Sequence, residues 1–79
     1  MKSSLDRVRR NAADVFGVDL ESVSSESSPE TIEQWDSVQH LNLMLEVESA
    51  FGVAFSPEDM ANIHSIGDLA AFVDRTAPK

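Results

Sequence analysis

The sequence predicts an all-α fold, a small four-helix bundle with three main helices, one short helix and a long first loop. Apolar residues recur at spacings of three and four in separate segments, which is typical of helices that each bury one face. No segment is predicted to form a strand. With 79 residues the chain has room for one small core, so we expect residues 1–79 to form a single domain.

The first predicted helix has one apolar stripe that can face the core. The members of this stripe are Leu5, Val8, Ala12, Val15 and Phe16. Ser3 or Ser4 can cap the start of the helix, and Gly17 can end it.

A long polar loop is predicted from Val18 to Gln34, where the periodicity vanishes and Pro29 interrupts the chain. A loop of this length in a small domain needs anchors in the core. We expect Leu20, Val23 and Ile32 to be those anchors, placed under or between the helices.

The second predicted helix begins after Asp36, which is a suitable N-cap. Gln39 stands three residues later, where its side chain can return a hydrogen bond and complete a capping box. The helix is predicted to run to about Phe51 and to stop at Gly52. Its predicted core stripe contains Leu43, Met44, Val47, Ala50 and Phe51.

Two further helices complete the predicted bundle. A short helix follows Ser56 as cap and Pro57 as first residue. The last helix begins at Ser65, with Asp68 at the capping-box position. It is predicted to bury Ile66, Leu69, Ala70 and Val73.

The second helix has more apolar surface than one small core requires, because Val38, Leu41 and Leu45 fall on a different side from its core stripe. We expect this patch to face outward or to line a cleft, although it can equally pack on the long loop. Ser37 projects beside the patch, and we expect it close to Leu41 and Glu48. A hydroxyl at the first turn beside exposed apolar side chains suggests a modification and docking site. Taken alone, however, a serine after an N-cap aspartate is a common first-turn residue.

The amino-acid composition limits which classes of molecule we expect this protein to bind. Fourteen acidic residues against six basic ones leave a net charge of −8, which repels nucleic acid and anionic lipid and favours partners with basic surfaces. Between Asn11 and Asp74 there is no lysine or arginine. The absence of cysteine excludes disulfides, thiolate zinc sites and cysteine nucleophiles. No apolar run is long enough to cross a bilayer, and none follows Lys2 as in a signal peptide, so we expect a cytoplasmic protein.

Catalytic and metal sites are not predicted. His40 is the candidate base for Ser37, but no glycine-rich elbow surrounds the serine, and His40 falls on the core side of its helix. We expect a structural or partly buried imidazole there. His64 precedes a helix cap and has no second metal ligand at a suitable spacing, so we assign no metal.

Two long segments resemble the carrier proteins of fatty-acid, polyketide and nonribosomal-peptide synthesis. The stretch "WDSVQHLNLMLEVESAFGV" is similar to the Asp-Ser-hydrophobic motif of that family and the helix that follows it. The stretch "SPEDMANIHSIGDLAAFV" is similar to the third and fourth helices of the family, including the apolar-Gly-Asp-Leu entry to the last helix. The resemblance covers almost the whole chain and is far more specific than the Asp-Ser pair.

The resemblance implies that Ser37 carries 4'-phosphopantetheine from coenzyme A, attached by a phosphopantetheinyl transferase with magnesium, while Asp36 holds the helix start. The carrier would catalyse nothing and would present acyl or aminoacyl thioesters to other enzymes. Its expected partners are that transferase, a loading ligase or acyltransferase, and synthase enzymes with basic docking surfaces. They would approach Asp36, Val38, Leu41, Leu45 and Glu48, and the carrier is expected to be a monomer that binds neither nucleic acid nor membrane.

Some positions depart from a housekeeping fatty-acid carrier. Asn42 and Ser49 stand where more acidic character is expected, and Trp35 and His40 are unusual for that subgroup. These differences favour a free-standing carrier of a specialised pathway, with the cargo left open. Two other classes remain as alternatives: an unmodified helical interaction domain that uses the apolar patch, and a small serine-dependent enzyme.

Overall fold

The computed structural model describes residues 4–76, which form four α-helices and one short 3₁₀ helix. In chain order these are α1 (Leu5–Phe16), the 3₁₀ helix (Leu20–Ser22), α2 (Ser37–Phe51), α3 (Pro57–Ala61) and α4 (Ile66–Thr76). Residues 4–76 contain no strand, so the predicted all-α bundle with a short third helix is confirmed. None of the helices in this range has the length and apolar character needed to cross a bilayer.

The helix ends follow the predicted signals. Gly17 and Gly52 end α1 and α2 in the left-handed conformation, each with a φ of 69°, which glycine adopts without steric cost. Ser56 and Asp59 form a reciprocal capping box at α3, with Pro57 at its first position. At α1 the N-cap is Ser4, which makes no side-chain cap bond, and Ser3 lies outside the described residues.

The relative directions of the main helices are set by contacts at their ends. Near the start of α1, the Arg7 guanidinium donates to the Ala50 carbonyl at the end of α2 (3.4 Å). Near the end of α1, the Val15 carbonyl accepts from the Gln39 amide at the start of α2 (3.0 Å). The Ser4 amide donates to Asp74 Oδ1 near the end of α4 (2.9 Å). Helix α1 is therefore antiparallel to both α2 and α4, whose starts lie at the same end of the bundle.

The core is built from the predicted stripes with some additions. Buried apolar residues come from all the main helices and from the connections between them. They are Val8, Ala12, Ala13, Phe16, Val23, Ile32, Trp35, Leu43, Met44, Val47, Phe55, Ile63, Ile66, Leu69, Ala70, Phe72 and Val73.

The core stripe of α2 is shorter than predicted. Ala50 is exposed and Phe51 is only partly buried, so the prediction that Ala50 belongs to the core is wrong. The neighbour on α1 at this turn is Arg7, whose guanidinium lies 4.3 Å from the centre of the Phe51 ring. The guanidinium can lie on the aromatic face while its charge stays in contact with water. This last turn of α2 is therefore at the surface, and the last fully buried residue of the helix is Val47.

Two of the three predicted loop anchors are correct. Val23 and Ile32 are buried, whereas the Leu20 side chain is exposed, so its predicted anchoring role is wrong. This part of the loop is held through its backbone instead. The Arg9 guanidinium donates to the Val23 carbonyl (2.6 Å) and to the Leu20 carbonyl (3.2 Å). The 3₁₀ helix therefore lies against α1 without burying its own leucine.

The second half of the loop is attached to the start of α4. The first two amides of α4, those of Ile66 and Gly67, donate to the carbonyls of Ser27 (3.0 Å) and Ser25 (2.8 Å). Ser27 is buried, and its hydroxyl accepts from the Ser24 amide (2.9 Å). Amides at a helix start have no partner inside the helix, so loop carbonyls satisfy donors that would otherwise be left unpaired.

The predicted start of α4 is confirmed, but the Asp68 side chain bonds to the amide of a different residue from the one that a capping box requires. The Ser65 hydroxyl accepts from the Asp68 amide (3.1 Å), as expected of an N-cap. The Asp68 carboxylate accepts from the amide of His64, the residue before the cap (3.0 Å).

Candidate functional site

The start of α2 is organised by Asp36. Its Oδ1 atom accepts from the Gln39 amide (2.9 Å), which confirms the predicted N-cap. The predicted return bond from the Gln39 side chain is wrong, because that side chain donates to the Val15 carbonyl and accepts from Asn42. The Asp36 amide already donates to the Gln34 carbonyl in the preceding turn (3.1 Å), so it does not need the return bond.

Ser37 is the first residue of α2, and it is exposed. The amides of a first helical turn lack acceptors inside the helix and carry the positive end of the helix dipole. A phosphate group on the Ser37 hydroxyl would therefore lie in a favourable field. The Asp36 carboxylate partly opposes this field, although it is committed to the Gln39 amide.

Trp35, two residues before Ser37, is buried in the core. Its side chain is only 3% exposed, and its ring lies 5.2 Å from the Phe16 ring, measured between centroids. The indole Nε1–H donates to His40 Nδ1 (2.9 Å), and the two rings are stacked. Trp35 and His40 are the residues before the cap and at the fourth helical position, where a pair of apolar side chains commonly packs. This spacing is a sequence signal for the pair, although the pair was not predicted from the sequence.

The hydrogen-bond partners of His40 define the roles of its two ring nitrogens. An indole nitrogen can only donate, so His40 Nδ1 must accept. The hydrogen of the neutral ring is then on Nε2, which donates to the Met60 carbonyl in α3 (2.8 Å). Both ring nitrogens are thus occupied by structural bonds. The prediction of a structural, partly buried imidazole is confirmed, and neither nitrogen is free to take a proton from Ser37.

An open cleft of about 430 Å³ lies beside Ser37. It is lined by Pro29 from the long loop, by Trp35, Asp36 and Ser37 at the helix start, and by His40 one turn later. Its volume falls in the range of small-molecule sites, about 300–1,000 Å³. Ser37 is exposed and is one of the residues that line the cleft, so a group attached to its side chain would begin there.

The outer face of α2 carries the predicted apolar patch, made of Val38, Leu41 and Leu45. These side chains are 68%, 48% and 51% exposed, respectively. The alternative in which they pack on the long loop is therefore wrong. The patch begins next to Ser37 in the chain and continues along the helix away from it.

Glu48 does not lie beside Ser37, so that expectation is wrong. It lies roughly 16 Å further along α2, at the rise of an α-helix. Its Oε2 atom accepts from the Phe55 amide (2.7 Å) and so ties α2 to the connection that leads into α3. The prediction rested on the side of the helix that the two residues share, but their distance along the helix axis keeps them apart.

The charges around Ser37 are negative. Glu30, Glu33 and Asp36 are exposed in the segment that leads into α2. The arginines of residues 4–76 are in the first half of α1 and near the end of α4, at the far end of the bundle. They are Arg7, Arg9, Arg10 and Arg75. Within residues 4–76, no group of three or more His, Cys, Asp or Glu side chains is arranged to hold a metal ion.

Two comparisons with known proteins match this chain. The family model described as "Phosphopantetheine attachment site" matches residues 6–73, almost the entire described range. The solution NMR structure of the holo acyl carrier protein from Geobacter metallireducens is similar, with 30% sequence identity and a TM-score of 0.82. That likeness covers 91% of this chain and 83% of the other. The range matched by the family model runs from α1 into α4 and includes Ser37.

Proposed function

This chain belongs to the phosphopantetheine attachment-site family of carrier proteins, and on that premise we propose that Ser37 bears its prosthetic arm. Membership makes the chain a carrier domain of the acyl-carrier type and not an enzyme, and it makes phosphopantetheine its prosthetic group. The observation that carries the proposal is the position of Ser37, exposed at the first residue of α2 and at the edge of the cleft.

The residues in the first turn of α2 fit a phosphopantetheine group attached to Ser37. The exposed hydroxyl of Ser37 can form the phosphodiester without any movement of the core. The first amides of α2 favour the phosphate charge. Asp36 keeps the turn in place through its bond to the Gln39 amide. When bound, the arm supplies a terminal thiol, which holds acyl groups as thioesters and which a chain with no cysteine cannot supply itself.

A serine-dependent enzyme is not supported by this geometry. Acyl transfer by Ser37 would require a general base within hydrogen-bond reach. His40 is committed to Trp35 and Met60 through both ring nitrogens. Transfer of phosphopantetheine onto Ser37 therefore needs the catalytic groups of the partner transferase.

Carriers of this family interact with transferases and with synthase enzymes. We propose that such partners present basic surfaces to the Ser37 end, where exposed carboxylates steer the encounter. Asp36, Val38, Leu41 and Leu45 would make the contact, with the exposed side chains of the patch at its centre. Glu48 would take part at the far end of the helix, in addition to its bond to Phe55.

For the pathway, we propose a thioester-based biosynthesis without assigning its cargo. Acyl or aminoacyl intermediates of fatty-acid, polyketide, nonribosomal-peptide or another specialised synthesis all fit a thioester carrier. Loading by a ligase or an acyltransferase fits equally. We further propose a monomer that works in the cytoplasm, where the lack of cysteine removes any dependence on oxidising conditions.

The test is enzymatic modification of the purified chain with coenzyme A, magnesium and a broad-specificity phosphopantetheinyl transferase. Intact mass counts the adducts, and peptide fragmentation locates them. We expect one adduct on Ser37, complete loss in Ser37→Ala, and full modification of Ser49→Ala. Ser49 is an exposed serine on the same helix, so it controls for the substitution itself.

An adduct that persists on Ser37→Ala would overturn the assignment of the site. If two different transferases fail to modify the folded wild-type chain, the assignment of Ser37 as the attachment site is also wrong. In that case the exposed patch on α2 would favour the unmodified interaction domain.

A further inference from the structure

The cleft beside Ser37 has no role in the functions assigned above. Three ring side chains, those of Pro29, Trp35 and His40, line it together with Asp36 and Ser37. It is not the apolar patch on α2, because Val38, Leu41 and Leu45 do not line it. A group on the Ser37 oxygen can thus turn toward the cleft, extend along the patch, or remain in solvent.

We propose that this cleft is the docking site of the chain's own phosphopantetheine arm, in particular its phosphate-proximal half. The inference rests on the proposed attachment to Ser37. Because the arm would be tethered at the edge of the cleft, its effective concentration there is high, on the order of millimolar for a short flexible tether. A weak site is then enough to hold it for much of the time.

The chemistry of the cleft matches that half of the arm. Next to its phosphate the arm has a carbon with two methyl groups, then a hydroxyl and an amide. The methyl groups can pack on the ring of Pro29 and on the 3% of Trp35 that remains exposed, and the polar groups that follow can meet water or Asp36 at the rim. Small-molecule sites commonly combine an apolar lining with a few polar groups in this way.

The walls of the cleft are held in place before the arm arrives. The Trp35 indole is bound to His40 Nδ1 (2.9 Å), and His40 Nε2 is bound to the Met60 carbonyl (2.8 Å). This connection runs from the turn before α2 to α3. A preformed wall lowers the cost of ordering side chains on binding. Docking of the inner half would leave the outer half, with the thiol, available to partner enzymes.

The experiment uses the full chain in its apo form and in a holo form made from coenzyme A with a ¹³C-labelled arm. Mass spectrometry first establishes attachment to Ser37, so a failure at this step concerns the proposed function alone. Isotope-filtered NMR then detects contacts between the arm methyl protons and the protein. The chain has one tryptophan, so a single indole N–H resonance reports on the cleft.

We expect contacts from the arm methyl protons to the rings of Pro29 and Trp35. The indole N–H resonance should shift between apo and holo forms, and its hydrogen exchange should slow severalfold. Pro29→Ala removes part of the wall and should weaken these effects at least twofold. Pro57→Ala, at an exposed proline outside the cleft, and Leu41→Ala, in the patch, should leave them unchanged.

The result that overturns the proposal is a holo protein, verified by mass, whose arm contacts the methyl groups of Val38 or Leu41. A holo protein with no arm contacts and an unchanged indole resonance would overturn it as well. Equal loss of the contacts in Pro29→Ala and Leu41→Ala would also count against it, since the cleft would then not be the site.

Discussion

The end of the bundle with Ser37 and the opposite end with the arginines use their charged side chains in different ways. At the arginine end, cations are part of the packing: Arg7 lies on the Phe51 ring and reaches the Ala50 carbonyl. At the Ser37 end, Glu30, Glu33 and Asp36 are exposed, and the buried contacts are made by neutral rings.

This difference follows from a simple feature of the sequence. Lysine and arginine are absent between Asn11 and Asp74. Because α1 is antiparallel to α2 and α4, the first half of α1 and the last turn of α4 come together, away from Ser37. The arginines therefore take part in packing at one end of the bundle, and the surface around the proposed attachment site at the other end is acidic. One end supports the bundle, and the other is available to basic partners.

The largest expected effect is at the neutral rings of the Ser37 end. Trp35→Ala should lower the free energy of unfolding by about 3–5 kcal/mol, because it leaves a cavity beside Phe16 and removes the partner of His40. Urea unfolding followed by circular dichroism measures this loss. Trp35→Phe should cost less, since it keeps most of the buried ring. A loss below about 1 kcal/mol for the alanine variant would mean that this end does not depend on the ring contacts.

A second substitution tests how the long loop is held at the same end. A Cβ atom on Gly67 would lie 2.9 Å from the Ser25 carbonyl oxygen, which is closer than real contacts allow. Gly67→Ala should therefore destabilise the fold by about 2 kcal/mol. Without that contact, alanine in a helix would be more favourable than glycine by about 1 kcal/mol. The sign of the change in unfolding free energy is thus diagnostic, and a gain in stability would contradict the observed docking of the loop on α4.

At the arginine end, two neighbouring arginines should behave differently. Arg9→Leu removes the donors to the Val23 and Leu20 carbonyls and should cost about 1.5 kcal/mol. Arg10 is exposed on the same helix, so Arg10→Leu makes the same change of charge and should stay within about 0.5 kcal/mol of wild type. Thermal unfolding of both variants provides the comparison. Equal losses would indicate that charge, and not the loop contacts of Arg9, decides stability here.

The smallest expected effect concerns the encounter with partners. Glu33→Gln and Asp6→Asn each remove one exposed negative charge, the first near Ser37 and the second at the arginine end. At low salt, Glu33→Gln should lower kcat/KM for the transferase by about twofold to threefold, whereas Asp6→Asn should leave it nearly unchanged. The difference should fade as salt screens the charges. Equal effects would show that net charge alone governs the encounter.

Sequence signals of short range predicted the helices well. The ends of α1 and α2 were located by Gly17 and Gly52, and the start of α3 by Ser56. Such signals act within one or two turns, where backbone sterics and capping bonds decide the conformation. The outward-facing patch on α2 was also predicted correctly, because helical periodicity alone separates it from the core stripe.

The errors arose where a side chain had more than one available partner. The Gln39 side chain was predicted to bond to its own helix start, but it reaches the Val15 carbonyl of α1. Leu20 was predicted as an anchor, but Arg9 holds that turn by its backbone carbonyls. Glu48 was placed near Ser37, but it bonds to the Phe55 amide. Each choice depends on which elements become neighbours.

The sequence by itself determined the all-α class, the helix that begins at Ser37, the patch beside it and the separation of the cations from that helix. These properties depend on local periodicity, capping and the order of charges along the chain. The tertiary structure alone decided that His40 is bound to the Met60 carbonyl, that loop carbonyls cap α4, and that Pro29 of the loop and the start of α2 line one cleft beside Ser37. These features join residues far apart in the chain, so packing of the helices had to bring the donors, acceptors and rings together.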